Sequence, residues 1–157
     1  MTSSTQLGSR SLVLYDGHCG LCNASIRWLI RRDRKDRLRF APSSAPAVAP
    51  LLAAHPQDSD ASGAPGSVLF VREPFSLYPQ VLVRSRAVLA ALRELPLPWP
   101  AIAFLLGLVP TFLADPVYRL ISRWRYRIWG RLDVCPIPTP DLQRHFLSNT
   151  EAPPKSC

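Results

Sequence analysis

Long apolar runs are missing from this chain of 157 residues. Crossing a bilayer takes about 18–20 consecutive apolar residues. The longest candidate, 99–114, is interrupted by Pro100 and Pro110, so no transmembrane segment is expected. The N-terminal MTSSTQLGSRSLVLYDG lacks a charged segment followed by an apolar one, so a secretory signal peptide is not expected either. Lysine is scarce: of 19 basic residues only Lys35 and Lys155 are lysine. Cysteine is sparse too, at four, where a small secreted scaffold stapled by disulfides would carry more. A second C-x-x-C is absent, which removes the usual four-thiolate zinc framework. Export and a disulfide scaffold are set aside, and a reducing, cytoplasmic setting is expected.

What is present is enough for a packed core. Hydrophobic residues make up 47% of the chain and mean hydropathy is +0.04, so disorder throughout is excluded. The length fits one domain, expected over residues 11–146, with 1–10 and 147–157 as flexible tails. The net charge of +8 and a pI near 10.0 invite a nucleic-acid reading, because cationic surfaces attract phosphate. The arginine skew, with abundant alanine and proline, instead reads as codon bias in a GC-rich genome, so specific nucleic-acid binding is not expected.

Ser11-Leu-Val-Leu-Tyr15 reads as a short buried strand ended by the turn signal Asp16-Gly17. From Gly20 the spacing turns helical, with Cys22, Ile26, Leu29 and Ile30 on one face. Arg37–Ala41 alternates as a second strand before Pro42, and Ala47–Ala54 suits a short helix. Residues 55–66 are loop-like. Ser67–Val71 and Leu77–Val83 read as a third and fourth strand, Pro79 placing the fourth near an edge or bulge. Ser85 is the expected cap of a helix to about Leu95, with Val88, Leu89 and Leu92 facing inward. Asp115-Pro116 is expected to open a last helix running to about Gly130. A βαβ unit followed by a hairpin and a helix is the thioredoxin-fold order. The expected class is therefore α/β: a thioredoxin-like, four-stranded mixed sheet flanked by helices, with a helical C-terminal extension.

Cys19-Gly-Leu-Cys22 falls where the first strand hands over to the first helix. A thiol there meets free backbone N–H groups and the positive end of the helix dipole, both of which favour thiolate. Cys19 is expected at the exposed tip. Cys22, one turn later on the apolar face, is expected deeper and less ionised. That asymmetry gives an attacking thiol and a resolving thiol for disulfide exchange. Two other readings compete: a zinc site from Cys19, Cys22, Cys135 and His18 or His145, and a pair of inert core cysteines. In either, the chain is a basic binding or adaptor module.

The run Asp16-Gly-His-Cys19-Gly-Leu-Cys22 after an apolar strand resembles the signature of the DCC family of thiol-disulfide oxidoreductases, whose motif is D-x-x-C-x-x-C. Segments similar to the family continue through Arg37–Pro42, Ser67–Val71, Val83–Leu89, Val117–Ile121 and Arg125–Cys135, so the likeness covers about residues 12–146. The resemblance implies a thioredoxin-like fold and dithiol chemistry with a disulfide- or thiol-bearing protein or small-thiol partner, and no cofactor. It marks Asp16, Cys19 and Cys22 as motif positions and Cys135 as a recurrent late cysteine.

Around the pair, Asp16 suits either a proton relay for Cys22 or a turn carboxylate capping the helix. His18, when protonated, favours a neighbouring thiolate, against an exposed loop histidine as the plainer reading. Pro65 is the candidate for the cis-proline that thioredoxin-like proteins set beside the dithiol. Cys135 is a candidate third thiol, and Cys157 is incidental. Further on, Arg119, Arg123, Arg127 and Arg131 recur every fourth position, with Arg125, Trp124, Tyr126 and Trp129 between them. Such interleaving binds polyanions. Val117, Leu120, Ile121, Trp124, Ile128 and Leu132 nevertheless form an amphipathic stripe, which predicts a core-facing apolar side and solvated arginines. Arg27–Arg39 is read as a solvated helix end. The tryptophans near 97–113 raise a further expectation of peripheral membrane contact or a protein interface.

Overall fold

The computed structural model describes residues 10–54, 68–74, 80–131 and 144–146. Strand β1 (Ser11–Tyr15) buries all five of its residues, as a continuous apolar run in a sheet centre must. Helix α1 (Gly20–Arg32) follows and keeps Cys22, Ile26 and Ile30 inside. The return to β2 (Leu38–Pro42) is set by Asp33, whose carboxylate accepts the backbone N–H of Arg37 (3.1 Å) and of Leu38 (2.8 Å). A 3₁₀ turn (Pro46–Val48) and a short α2 (Ala49–Ala54) come next. Then β3 (Leu69–Arg72) and β4 (Gln80–Val83) lead to α3 (Arg84–Glu94), α4 (Trp99–Gly107) and α5 (Thr111–Trp129).

The sheet order is β2-β1-β3-β4, with β1 parallel to β2 and antiparallel to β3, and β3 antiparallel to β4. This is the mixed four-stranded α/β arrangement of a thioredoxin-like fold. Alternation along β1 sends Val13 and Tyr15 to the α1/α3 side and Leu12 and Leu14 to the opposite face, where Val48 covers them. Because α1 begins directly beyond the carboxyl end of β1, the C-x-x-C pair stands at the mouth of the sheet.

Several local features differ from the sequence expectation. Pro42 ends β2 from inside the strand, paired with Tyr15. Helix α3 buries Ala87, Ala90 and Ala91, while Val88 and Leu92 line a groove beside them. Ser85 does not cap α3; Val83 occupies the N-cap without a side-chain bond, and Ser85 donates to Asp115 at 2.7 Å. The last helix opens four residues before Asp115, at Thr111, and runs through Pro116. Arg39 is not solvated but pairs with Asp36 at 2.7 Å, its side chain largely buried.

Helix α5 faces the opposite way from that expected. Asp115, Tyr118, Ser122 and Arg125 follow one another at helical spacing and form its inward side. Asp115 receives the Ser85 hydroxyl, and Tyr118 Oη accepts the Val68 N–H at 3.0 Å. Ser122 and Arg125 line the groove below. The stripe read as core points outward: Leu120 is 59% exposed and Ile128 is 62%. A polar seam docks this helix, and hydrogen bonds hold it where apolar burial does not.

This inversion has a stability signature. Tyr118→Phe leaves the Val68 N–H without its acceptor and is expected to cost about 1–2 kcal/mol. Leu120→Ser, on the outward side, is expected to change stability by less than ~0.5 kcal/mol. Urea denaturation of the two variants checks this, and a larger loss for Leu120→Ser would reverse the assignment of faces.

Candidate redox site

The turn after β1 is built by its own backbone and side chains. The Asp16 carbonyl accepts the Cys19 N–H at 3.2 Å, and Asp16 Oδ1 accepts the His18 N–H at 3.0 Å. Asn23 Nδ2 donates to the carbonyls of Gly17 (2.7 Å) and Cys19 (3.0 Å). None of the usual hydroxyl or carboxylate caps opens α1. Cys19 takes that place, its Sγ accepting the Cys22 N–H at 3.3 Å. The sulfur therefore sits in the orphan N–H field of the helix start, where negative charge is favoured. Asp16 is a turn carboxylate that accepts a backbone N–H, as one of its two expected readings had it, while the N-cap position itself is held by Cys19.

The two thiols are driven in opposite directions. The hydrogen bond from the Cys22 side chain lowers Cys19 to about 6; burial opposes this, while the Cys22 N–H and Arg125 add to it. Cys22 is pushed far above the ordinary thiol range, first by its bond to Cys19, then by burial and the neighbouring thiolate charge. The pair titrates as a unit with one easily lost proton.

Cys19 does not stand at an exposed tip as the sequence suggested. Its exposure is 0%, against 7% for Cys22. The cover is the chain just past α5: Arg131 makes an antiparallel bridge to Cys19. Gly20 permits the approach, since a Cβ there would lie 2.5 Å from the Trp129 carbonyl oxygen. Gly130, at φ +74°, supplies the turn.

Arg125 is the functional residue that the sequence reading missed. It is 5% exposed, where the stripe predicted a solvated face. Its Nη2 donates to Asp16 Oδ2 at 3.0 Å and to Tyr126 Oη at 3.0 Å, and its Nη1 lies 3.8 Å from Cys22 Sγ. Its buried Nε has no hydrogen-bond partner among the described residues. Tyr126 Oη also donates to Asp16 Oδ2. Burial, reinforced by that bond, pushes the phenol up to about 12. A signal was available: Arg125 falls out of step with the four-residue repeat of Arg119, Arg123 and Arg127, so it belongs to another face. Beneath α5 runs a largely apolar groove of about 550 Å³, walled by Trp28, Val68, Leu92 and Tyr118, with Cys22 and Arg125 in its lining.

Other candidates fall elsewhere. His18 is half-buried in the turn. Pro65, Cys135 and Cys157 lie outside the described residues. His145 is not brought to the cysteines: its Nδ1 lies 3.3 Å from Asp36, and it groups with Asp33 and Asp36. That cluster flanks the amino ends of β1 and β2, whereas the dithiol follows the carboxyl end of β1, so a zinc site from the cysteines and His145 is not assembled.

The DCC1-like thiol-disulfide oxidoreductase family matches residues 13–131, most of the chain. The chain belongs to this family. It is 32% identical over 126 residues to a chloroplastic DCC family protein of Arabidopsis thaliana, covering 80% of this chain and 69% of that one. It is 30% identical over 145 residues to the uncharacterized protein YuxK of Bacillus subtilis (strain 168), covering 92% and 98%. No solved structure matches significantly. The matched DCC1-like region includes the Asp16–Cys22 motif and also Arg125, Tyr126 and the covering Arg131.

Two substitutions separate the charges around the thiols. Arg125→Gln removes a cation that favours the Cys19 thiolate, so the apparent midpoint of Cys19 alkylation against pH is expected to rise from about 6. Asp16→Asn removes an opposing anion and is expected to move it down. Shifts of the same sign in both variants would refute the electrostatic assignment. A stability effect follows from the same shift. Folding depresses the Cys19 pKa, so its contribution is fully present above the unfolded value near 9 and is lost as pH falls through about 6. Under reducing conditions, Tm is expected to rise between pH 6 and 9 relative to Cys19→Ser, and a flat difference would contradict it.

Proposed function

We propose that this protein is a thiol-disulfide oxidoreductase acting on a disulfide-bearing protein or small-thiol partner through Cys19 and Cys22. The observation that carries the reading is the shared hydrogen bond at the helix start, with Cys19 as acceptor cap and Arg125 against Cys22. The Cys19 thiolate attacks a substrate disulfide, forming a mixed disulfide as the first substrate sulfur leaves. Cys22 then gives its proton to a departing substrate sulfur and attacks Cys19 Sγ. The second substrate sulfur is released, and a Cys19–Cys22 disulfide remains. Two electrons pass from the dithiol to the substrate.

Arg125 stabilises negative charge on Cys22 as it is activated. Asp16 acts through Arg125 as a positioning residue: both of its oxygens are occupied, by the His18 N–H and by Arg125 with Tyr126. His18, Pro65 and Cys135 are given no step. Access requires the Arg131 bridge over Cys19 to part, or entry along the groove that Cys22 lines. The reading sets the protein in a reducing compartment, the cytoplasm, where thiols regenerate the pair.

Cys22→Ser is expected to accumulate a mixed disulfide on Cys19, visible by intact mass, while Cys19→Ser accumulates far less. Mild oxidation of the unaltered chain is expected to lower its mass by about two daltons. A trap on Cys22 alone would reverse the roles. Bound zinc in place of the oxidation shift would replace the redox reading with the binding-module one.

A further inference from the structure

Of the sixteen large hydrophobic side chains exposed among the described residues, fifteen lie between Leu97 and Trp129. Twelve of them belong to α4 and α5, which change direction by 112° at a short break. No charged residue occurs from 95 to 114, and the corner itself presents Leu108, Val109, Phe112 and Leu113 to the outside. No single helix among the described residues is long and apolar enough to cross a membrane. Exposed apolar surface this concentrated needs an occupant.

The rest of α5 identifies the occupant. Seen down the axis, its surface divides into three sectors. Asp115, Tyr118, Ser122 and Arg125 face the protein. Leu120, Ile121, Trp124 and Ile128 form an exposed apolar sector beside them. Arg119, Arg123 and Arg127 fill the remaining exposed flank. None of these three has a carboxylate partner among the described residues. Arg127 lies over the Trp124 ring, at the boundary between the basic and apolar sectors. An apolar stripe, an adjoining row of long cations and tryptophan at the seam are the composition of a helix lying in a headgroup layer. A second copy is disfavoured as the occupant, because each chain carries a net charge of +8.

We propose that the α4–α5 corner docks this protein onto an anionic lipid bilayer. The apolar corner enters the interface, and Arg119, Arg123 and Arg127 reach lipid phosphates. The binding is monotopic and requires no thiol chemistry, so it stands or falls separately from the redox reading.

The test is flotation of the full chain with vesicles of phosphatidylcholine alone or with about one-third phosphatidylglycerol, alongside tryptophan emission. Flotation and a blue shift are expected with the anionic vesicles, with at least about ten-fold weaker binding to the neutral ones. R123E/R127E and L120S/I128S are each expected to weaken anionic binding by at least about ten-fold, with Tm and Cys19 alkylation rate unchanged. If a variant lowers Tm, the unaltered chain decides, because raised salt must release it from anionic vesicles. Equal binding to both vesicles overturns the proposal. So does a stable dimer that hides the tryptophans, or nucleic-acid binding at physiological salt, where no vesicle is bound.

Discussion

The contact between Arg125 and Asp16 joins the end of α5 to the turn that carries the thiols. A guanidinium this deeply buried is tolerable only with an anion against it, and losing one partner of such a pair typically costs about 3–5 kcal/mol. The pair therefore sets the rotation of α5. With Arg125 turned in toward Asp16 and Cys22, Tyr118 and Ser122 must also face in, and the apolar stripe must face out. The groove beneath α5 and the outward apolar stripe follow from that rotation.

The central β-α-β unit could be read in the sequence because local and global preferences agree there. The apolar run Ser11–Tyr15, the turn at Asp16-Gly17 and the helical spacing from Cys22 to Ile30 specify the same elements that form. The position of Cys19 and Cys22 at the strand-to-helix junction follows from those patterns alone. α5 was misread because hydrophobic periodicity assumes that the apolar side faces the protein, and here a ladder of hydrogen bonds takes its place. Ser85 and Asp115 are good cap residues by type, yet they satisfy each other at a separation of thirty residues. Nothing in local sequence encodes such a pairing.

The burial of Cys19 was hidden for a related reason. Exposure at a helix start is the default where nothing passes over it. The chain beyond α5 does pass over it, on a glycine whose missing Cβ admits the Trp129 carbonyl. Gly20 thus has a contact role besides its place in the C-x-x-C spacer. Thiolate stability at Cys19 then derives from fixed N–H groups, from Cys22 and from Arg125, in a place that bulk water does not reach. Charge held by such preorganised partners is less open to screening by salt than charge at the surface.

Asp16 and Arg125 are 109 residues apart in the chain. During synthesis the motif therefore leaves the ribosome well before its guanidinium partner does. The bonds between Cys19 and Cys22 are local to the motif, whereas the Arg125 charge, the Arg131 cover and the groove wall are added only when α5 docks, so completion of the fold encloses a pair whose asymmetry begins at the helix start.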